Sequence, residues 1–100
     1  MFSFPPLPSE YERKLSAWKA AWPVSGHRSD HVRRDCDGRL IVWGEYGRYS
    51  GYGWQIDHIV PTAAGGSDAL ANLRARHWQG NCAAGRLLGN AMRNASRQSR

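Results

Sequence analysis

Between Gly53 and Val60 the chain reads Gly-Trp-Gln-Ile-Asp-His-Ile-Val, and this segment restricts the fold more than any other. Trp54, Ile56, Ile59 and Val60 suit a pleated, half-buried surface, so the segment predicts a strand. Pro61 ends it, because proline has no N–H to give to a ladder. Yet an ionisable pair, Asp57-His58, stands in its middle. Burying a carboxylate costs several kcal/mol unless it is paired, hydrogen-bonded or bound to a metal. Whatever fold forms must bring polar partners or an ion to this apolar strand.

The elements around it follow from local chemistry. Pro5-Pro6-Leu7-Pro8 is stiff and extended, and Ser9-Glu10-Tyr11-Glu12 is a capping box that starts a helix. Tyr11, Leu15, Trp18 and Trp22 recur at four- and three-residue steps, giving that helix one apolar face up to Pro23. Asp37-Gly38 signals a two-residue type I′ turn, and a hairpin is predicted over residues 31–43. The Gly- and Tyr-rich run Gly44–Gly53 predicts an irregular connection into the Gly53–Val60 strand. After Pro61 comes a loop by composition, in which Ser67 can cap one short helical turn reaching Leu73. A last helix is expected from His77-Trp78, weakened by Gly80, Gly85 and Gly89. The tail after residue 90 is expected to be disordered.

One hundred residues allow one domain. With few Leu and Ile, its five Trp must supply much of the core. The formal charge is +6, carried largely by Arg, and no acidic residue follows Asp68. The planar guanidinium suits bidentate phosphate contacts, so a polyanionic partner is expected. Cys36 and Cys82 form no CxxC pair, which excludes a four-thiolate zinc site; two reduced, partly buried thiols are expected. MFSFPPLPSE has no basic segment followed by an apolar run, and no stretch approaches a membrane span, so a cytoplasmic location is expected.

The polar residues after the strand carry the functional signal. Asp57-His58 is followed by Asn72, fourteen residues past His58, and then by His77 and Asn81, which would share one helical face. A carboxylate and an amide oxygen are hard ligands suited to Mg²⁺, which keeps several of its waters. A histidine beside them can take a proton from such a water.

The run Tyr52–Gly85, YGWQIDHIVPTAAGGSDALANLRARHWQGNCAAG, resembles the HNH (ββα-metal, or His-Me finger) nuclease motif over a third of the chain. Asp-His, the Gly-Gly-Ser-Asp loop, Asn-Leu and His-Trp-x-x-Asn occur in the family's order and spacing. The resemblance implies His58 as the general base that activates water, Asp57 and Asn81 as ligands of one divalent cation, and Asn72 as the residue that pins the long loop and steadies the histidine. The cation is expected to be Mg²⁺, with Mn²⁺ or another transition metal possible, and no structural zinc is implied. Because neighbouring strand residues face opposite ways, shared use of one site by Asp57 and His58 requires a twist or break at His58. His77 is a further site candidate, although packing beside Trp78 is the simpler role. Arg48, Arg74, Arg76 and Arg86 are the expected phosphate contacts. Relatives often carry Lys or Arg directly after the last signature Asn; here Cys82-Ala83-Ala84-Gly85 intervene before Arg86.

The expectation is therefore a small α+β domain. Residues 1–23 form an extended segment and packing helix, 24–90 an HNH domain with its motif core at 52–85, and 91–100 a basic tail. Its function would be metal-dependent hydrolysis of double-stranded DNA by a monomer or homodimer. The alternatives are a non-catalytic nucleic-acid-binding module on the same fold, or a nuclease toxin domain.

Overall fold

In the computed structural model, residues 6–81 are described, and the architecture among them is α+β. It comprises one complete α-helix and two small antiparallel sheets. Helix α1 spans Glu10–Lys19. Ser9 caps it: the Glu12 amide donates to the Ser9 hydroxyl (3.1 Å), as in a capping box, while the Glu12 carboxylate accepts from that hydroxyl (3.3 Å) and not from the Ser9 amide. The helix stops short of Trp22. Proline confines the residue before it to extended backbone, and Trp22–Pro23 accordingly forms the edge strand β1. Trp22 is 68% exposed, so the predicted apolar face ends at Trp18 and Ala21 instead.

Strands β2 (Val32–Arg34) and β3 (Leu40–Val42) form the predicted hairpin, with β1 paired to β2 and Arg34 opposite Leu40. The turn between them is not type I′. Gly38 alone has positive φ (81°), while Asp37 does not, and the Gly38 amide donates to the Asp35 carbonyl (3.0 Å). That is a longer loop with glycine in the left-handed position, the next commonest hairpin solution. Its conformation is set by Asp35, only 1% exposed. One Asp35 oxygen accepts from the amides of Asp37 and Arg39 (2.9 Å each), and the other accepts from the His77 amide (2.8 Å). A buried carboxylate is stable here because backbone donors surround it. Cys36, next to it, is an exposed free thiol, not a partly buried one; Cys82 lies outside the described residues.

The second sheet pairs β4 (Trp54–His58) with β5 (Leu73–His77), Trp54 opposite His77 and His58 opposite Leu73. The strand predicted to reach Val60 therefore ends two residues earlier. The short helical turn expected to reach Leu73 is a 3-10 turn over Leu70–Asn72, and Leu73 already belongs to β5. The chain becomes helical at residue 78 and remains so through residue 81. The predicted basic tail and the end of this helix lie outside the described residues.

Helix α1 lies across the sheet pair. Ala17, Trp18, Ala21, Ile41, Trp54, Leu73 and Ala75 form the core, with Trp43, Tyr46, Ile56 and Leu70 at its margin. Three indoles meet there: Trp18 is 5.2 Å from Trp54 and 5.5 Å from Trp43 between ring centroids. Burying a Trp leaves an N–H to satisfy. Trp54 donates to the Val42 carbonyl (2.9 Å) and Trp18 to that of Ser29 (2.8 Å), so each indole also ties the core to a backbone segment. Among the described residues no helix is long and apolar enough to cross a membrane.

Candidate functional site

Strand alternation sorts the site residues. Leu73, Ala75 and His77 of β5 are buried, the first two in the core with α1, while Arg74 and Arg76 between them point to the opposite face. On β4 the same rule puts Trp54, Ile56 and His58 on the core side, and Gln55 and Asp57 on the polar side. Pairing runs through His58 and β4 ends at that residue, so no break separates Asp57 from His58. Asp57 and His58 flank the end of β4 from opposite faces.

On the polar face Asp57 sits directly across from Arg74. Its Oδ2 accepts from Arg74 Nε (2.9 Å) and lies 3.5 Å from an Arg76 Nη. Arg76 also grips Asp37 through Nε and Nη2 (3.0 and 2.9 Å), and Arg39 reaches the same Asp37 oxygen (3.4 Å). The hydrogen bond from Arg76 holds the Asp37 carboxyl below its ordinary range. Asn81, on the helical segment, donates from Nδ2 to Gln55 Oε1 (3.0 Å). Gln55 and Asp57 share a face, so Asn81 is carried to the side of the sheet where Asp57 lies. Its Oδ1, the oxygen that a cation takes, is the other arm of that amide.

At the strand end, His58 Nε2 lies 2.7 Å from Asp68 Oδ1. The loop that delivers Asp68 is held by Asn72. The Val60 amide donates to Asn72 Oδ1 (2.9 Å), and Nδ2 donates back to the Val60 carbonyl (3.1 Å) and to that of Ser67 (2.7 Å). The double glycine of this loop has two separate reasons. Gly65 adopts φ 88°, and Gly66 packs so closely on the Val60 carbonyl that a Cβ there would overlap it. Ser67 does not cap a helix; its hydroxyl accepts from the Ala69 amide (3.3 Å) in a local turn.

His77 is placed apart from this cluster. It closes β5 instead of lying on the helix with Asn81, is 3% exposed, and stacks on Trp78. Its Nδ1 accepts from the Gln79 amide (3.2 Å) and its Nε2 meets the Gly51 carbonyl (2.8 Å), so it caps the helix that follows. Of the expected phosphate contacts, Arg48 is 70% exposed at its side chain, with Glu45 at 3.9 Å. Arg74 and Arg76 are engaged by carboxylates, and Arg86 lies outside the described residues.

Three participants went unassigned in the sequence. Asp68 was visible as the acidic residue of the Gly-Gly-Ser-Asp loop, ten residues past His58. Gln55 was visible as the polar residue two before Asp57. Asp35 carried no signal beyond turn composition. Among the described residues no group of three or more His, Cys, Asp and Glu is placed to hold a metal ion. Asp57 and Asn81 offer one carboxylate and one amide oxygen, a donor set compatible with a hard divalent cation that keeps most of its waters. Asp57 is already paired with the Arg74 guanidinium, so a metal ion would have to compete for its oxygen. No family model matches the chain, and no curated protein or solved structure matches it either.

Proposed function

We propose that the chain is a metal-dependent endonuclease of the HNH type, in which β4, β5 and the helical segment from residue 78 make up a ββα-metal core. The observation that carries this reading is the Asn72 clamp. An asparagine for which the HNH resemblance implies the pinning of a long loop makes three hydrogen bonds across that loop, and does so beside His58. The order strand, loop, strand, helix, with Asn81 reaching back to β4, supports it further.

On this reading Asp57 and Asn81 would hold one divalent cation, which when bound stabilises charge on the phosphate and the leaving oxygen. His58 takes the proton from the attacking water. Because Asp57 and His58 flank the end of β4 from opposite sides, the phosphodiester lies across that strand end, and Arg74 must give up part of its hold on Asp57. Arg48, exposed and held only at 3.9 Å by Glu45, is placed to meet a neighbouring phosphate.

Supercoiled plasmid incubated with Mg²⁺ or Mn²⁺ tests the proposal. Nicking abolished by EDTA, and reduced ~10²–10⁴-fold by His58→Ala with folding intact, is the expected outcome. The double arginine contact on Asp57 favours one alternative, a nucleic-acid-binding module on the same fold without the chemistry. Metal-independent binding with no nicking would decide for that module. Binding in either case should weaken steeply with salt, with a log–log slope of about −0.9 per duplex phosphate contacted.

A further inference from the structure

We propose that Asp68 is a positioning residue for His58, fixing which imidazole nitrogen is left to accept a proton; this rests on the nuclease reading. The contact is short, 2.7 Å from His58 Nε2 to Asp68 Oδ1. An ionised carboxylate can only accept hydrogen bonds, so this contact puts the ring proton on Nε2. The lone pair then resides on Nδ1, which has no hydrogen-bond partner among the described residues. A general base needs such a nitrogen, held in one tautomer and one orientation.

The surroundings show how an exposed loop can hold this geometry. Asp68 is 79% exposed at its side chain, so its pairing with a histidine adds little to stability. Its backbone is nevertheless anchored on both sides. Asn72 Nδ2 grips the carbonyl of Ser67, the residue just before Asp68 (2.7 Å), and the Ala69 amide just after it returns to the Ser67 hydroxyl (3.3 Å). The same loop is tied to α1 where the Ser16 hydroxyl donates to the Leu70 carbonyl (3.3 Å). Asn72, Ser67, Asp68 and His58 thus form a continuous chain from the loop pin to the proposed base. The contact with His58 also keeps the Asp68 carboxyl below its ordinary range. Asn72 therefore steadies the histidine indirectly, through the carboxylate it presents.

The test compares Asp68→Ala and Asp68→Asn with the unaltered chain and with His58→Ala on a nicking assay, beside NMR of the metal-free protein. Asp68→Ala should lower kcat by at least roughly 10–100-fold, the scale for partners that orient a metal-ligating histidine, with KM and thermal midpoint unchanged. Asp68→Asn keeps a carbonyl acceptor and should recover part of the loss. In the NMR spectrum the ¹⁵N shifts of neutral His58 should show the Nε2–H tautomer in the unaltered protein, and Asp68→Ala should lose that preference. If the unaltered chain nicks DNA, His58→Ala does not, and Asp68→Ala cuts at the normal rate, this inference is overturned and the nuclease reading survives. Ring-nitrogen shifts that place the proton of neutral His58 on Nδ1 overturn it as well. If the unaltered chain cuts nothing, the nuclease reading falls and takes the inference with it.

Discussion

Replacing Asn72 with aspartate is the most searching perturbation of this site, because the two side chains have one shape and opposite hydrogen-bonding chemistry. Asparagine accepts from the Val60 amide and donates to the carbonyls of Val60 and Ser67. Aspartate keeps the acceptance but has no donor, and it turns a second lone-pair-bearing oxygen toward two carbonyl oxygens. Each intact bond contributes a net ~0.5–1.5 kcal/mol, and the half-exposed setting argues for the lower end. Asn72→Ala should therefore cost about 2 kcal/mol. Asn72→Asp should cost at least as much despite its better fit, because the unmatched oxygens are repelled and not merely abandoned. In a small domain of roughly 5–15 kcal/mol total stability that loss is large. At roughly 4–8 °C per kcal/mol it lowers the melting midpoint by about 10 °C. Urea unfolding of the three proteins, with matched m-values, measures it. Hydrogen exchange adds a local readout, since the Val60 amide should lose protection beyond the global change in Asn72→Ala, where its acceptor is gone. An aspartate variant within ~0.5 kcal/mol of the unaltered protein would refute the assignment of Asn72 as a two-way clamp.

Three other outcomes follow from the contacts described. Burial, aided by its hydrogen bond to Glu10 (2.7 Å), pushes the Tyr46 phenol up to about 12. A raised folded pKa leaves stability intact below the ordinary tyrosine value of about 10, and stability is lost as pH rises through about 12. Tyrosinate absorbance should show one late titration that Tyr46→Phe removes. Asp37 runs the opposite way: its folded pKa is depressed by Arg76, so its contribution is present above about pH 4 and lost as pH falls through the folded value. The acid limb of the melting profile should flatten in Arg76→Ala. Finally, Arg74→Ala should strengthen Mg²⁺ or Mn²⁺ binding to the metal-free protein in calorimetry, because it frees an Asp57 oxygen; weaker binding would count against Asp57 as a ligand.

Local chemistry made several elements legible. The Ser9 box, the hairpin over residues 31–43, the strand at Trp54 and the helical start near Trp78 all rest on neighbours in sequence, and each is found where it was expected within a residue or two. What was missed depends on distant partners. Leu73-Arg74-Ala75-Arg76-His77 does alternate, but Ala and His are poor strand formers, so its period was masked until β4 supplied a partner. The cross-strand ion pair of Asp57 and Arg74 is a product of that register and of nothing local. Asp35 reads as a turn acid, and its burial makes sense only once the His77 amide, 42 residues away, arrives to meet it. Trp22 was misplaced because periodicity was followed past a residue that Pro23 already holds extended.

The charge on the polar face of β4 and β5 connects the structural and chemical readings. Arg74, Arg76 and Arg39 meet two carboxylates, Asp57 and Asp37, leaving one positive charge in excess. A protein stabilised only by this network gains nothing from losing a guanidinium, since removing one partner strands the carboxylate opposite it. A protein that binds a polyanion beside it has a different option. When phosphate arrives, Arg74 can exchange Asp57 for a phosphate oxygen, and the carboxylate is released to take another cation without either charge being left unmatched. The question posed by an ionisable pair inside an apolar strand then has two distinct answers. Asp57 is tolerated because arginines across the ladder hold it. His58 is tolerated because it lies at the strand's last residue, where a loop pinned by Asn72 brings Asp68 to its ring.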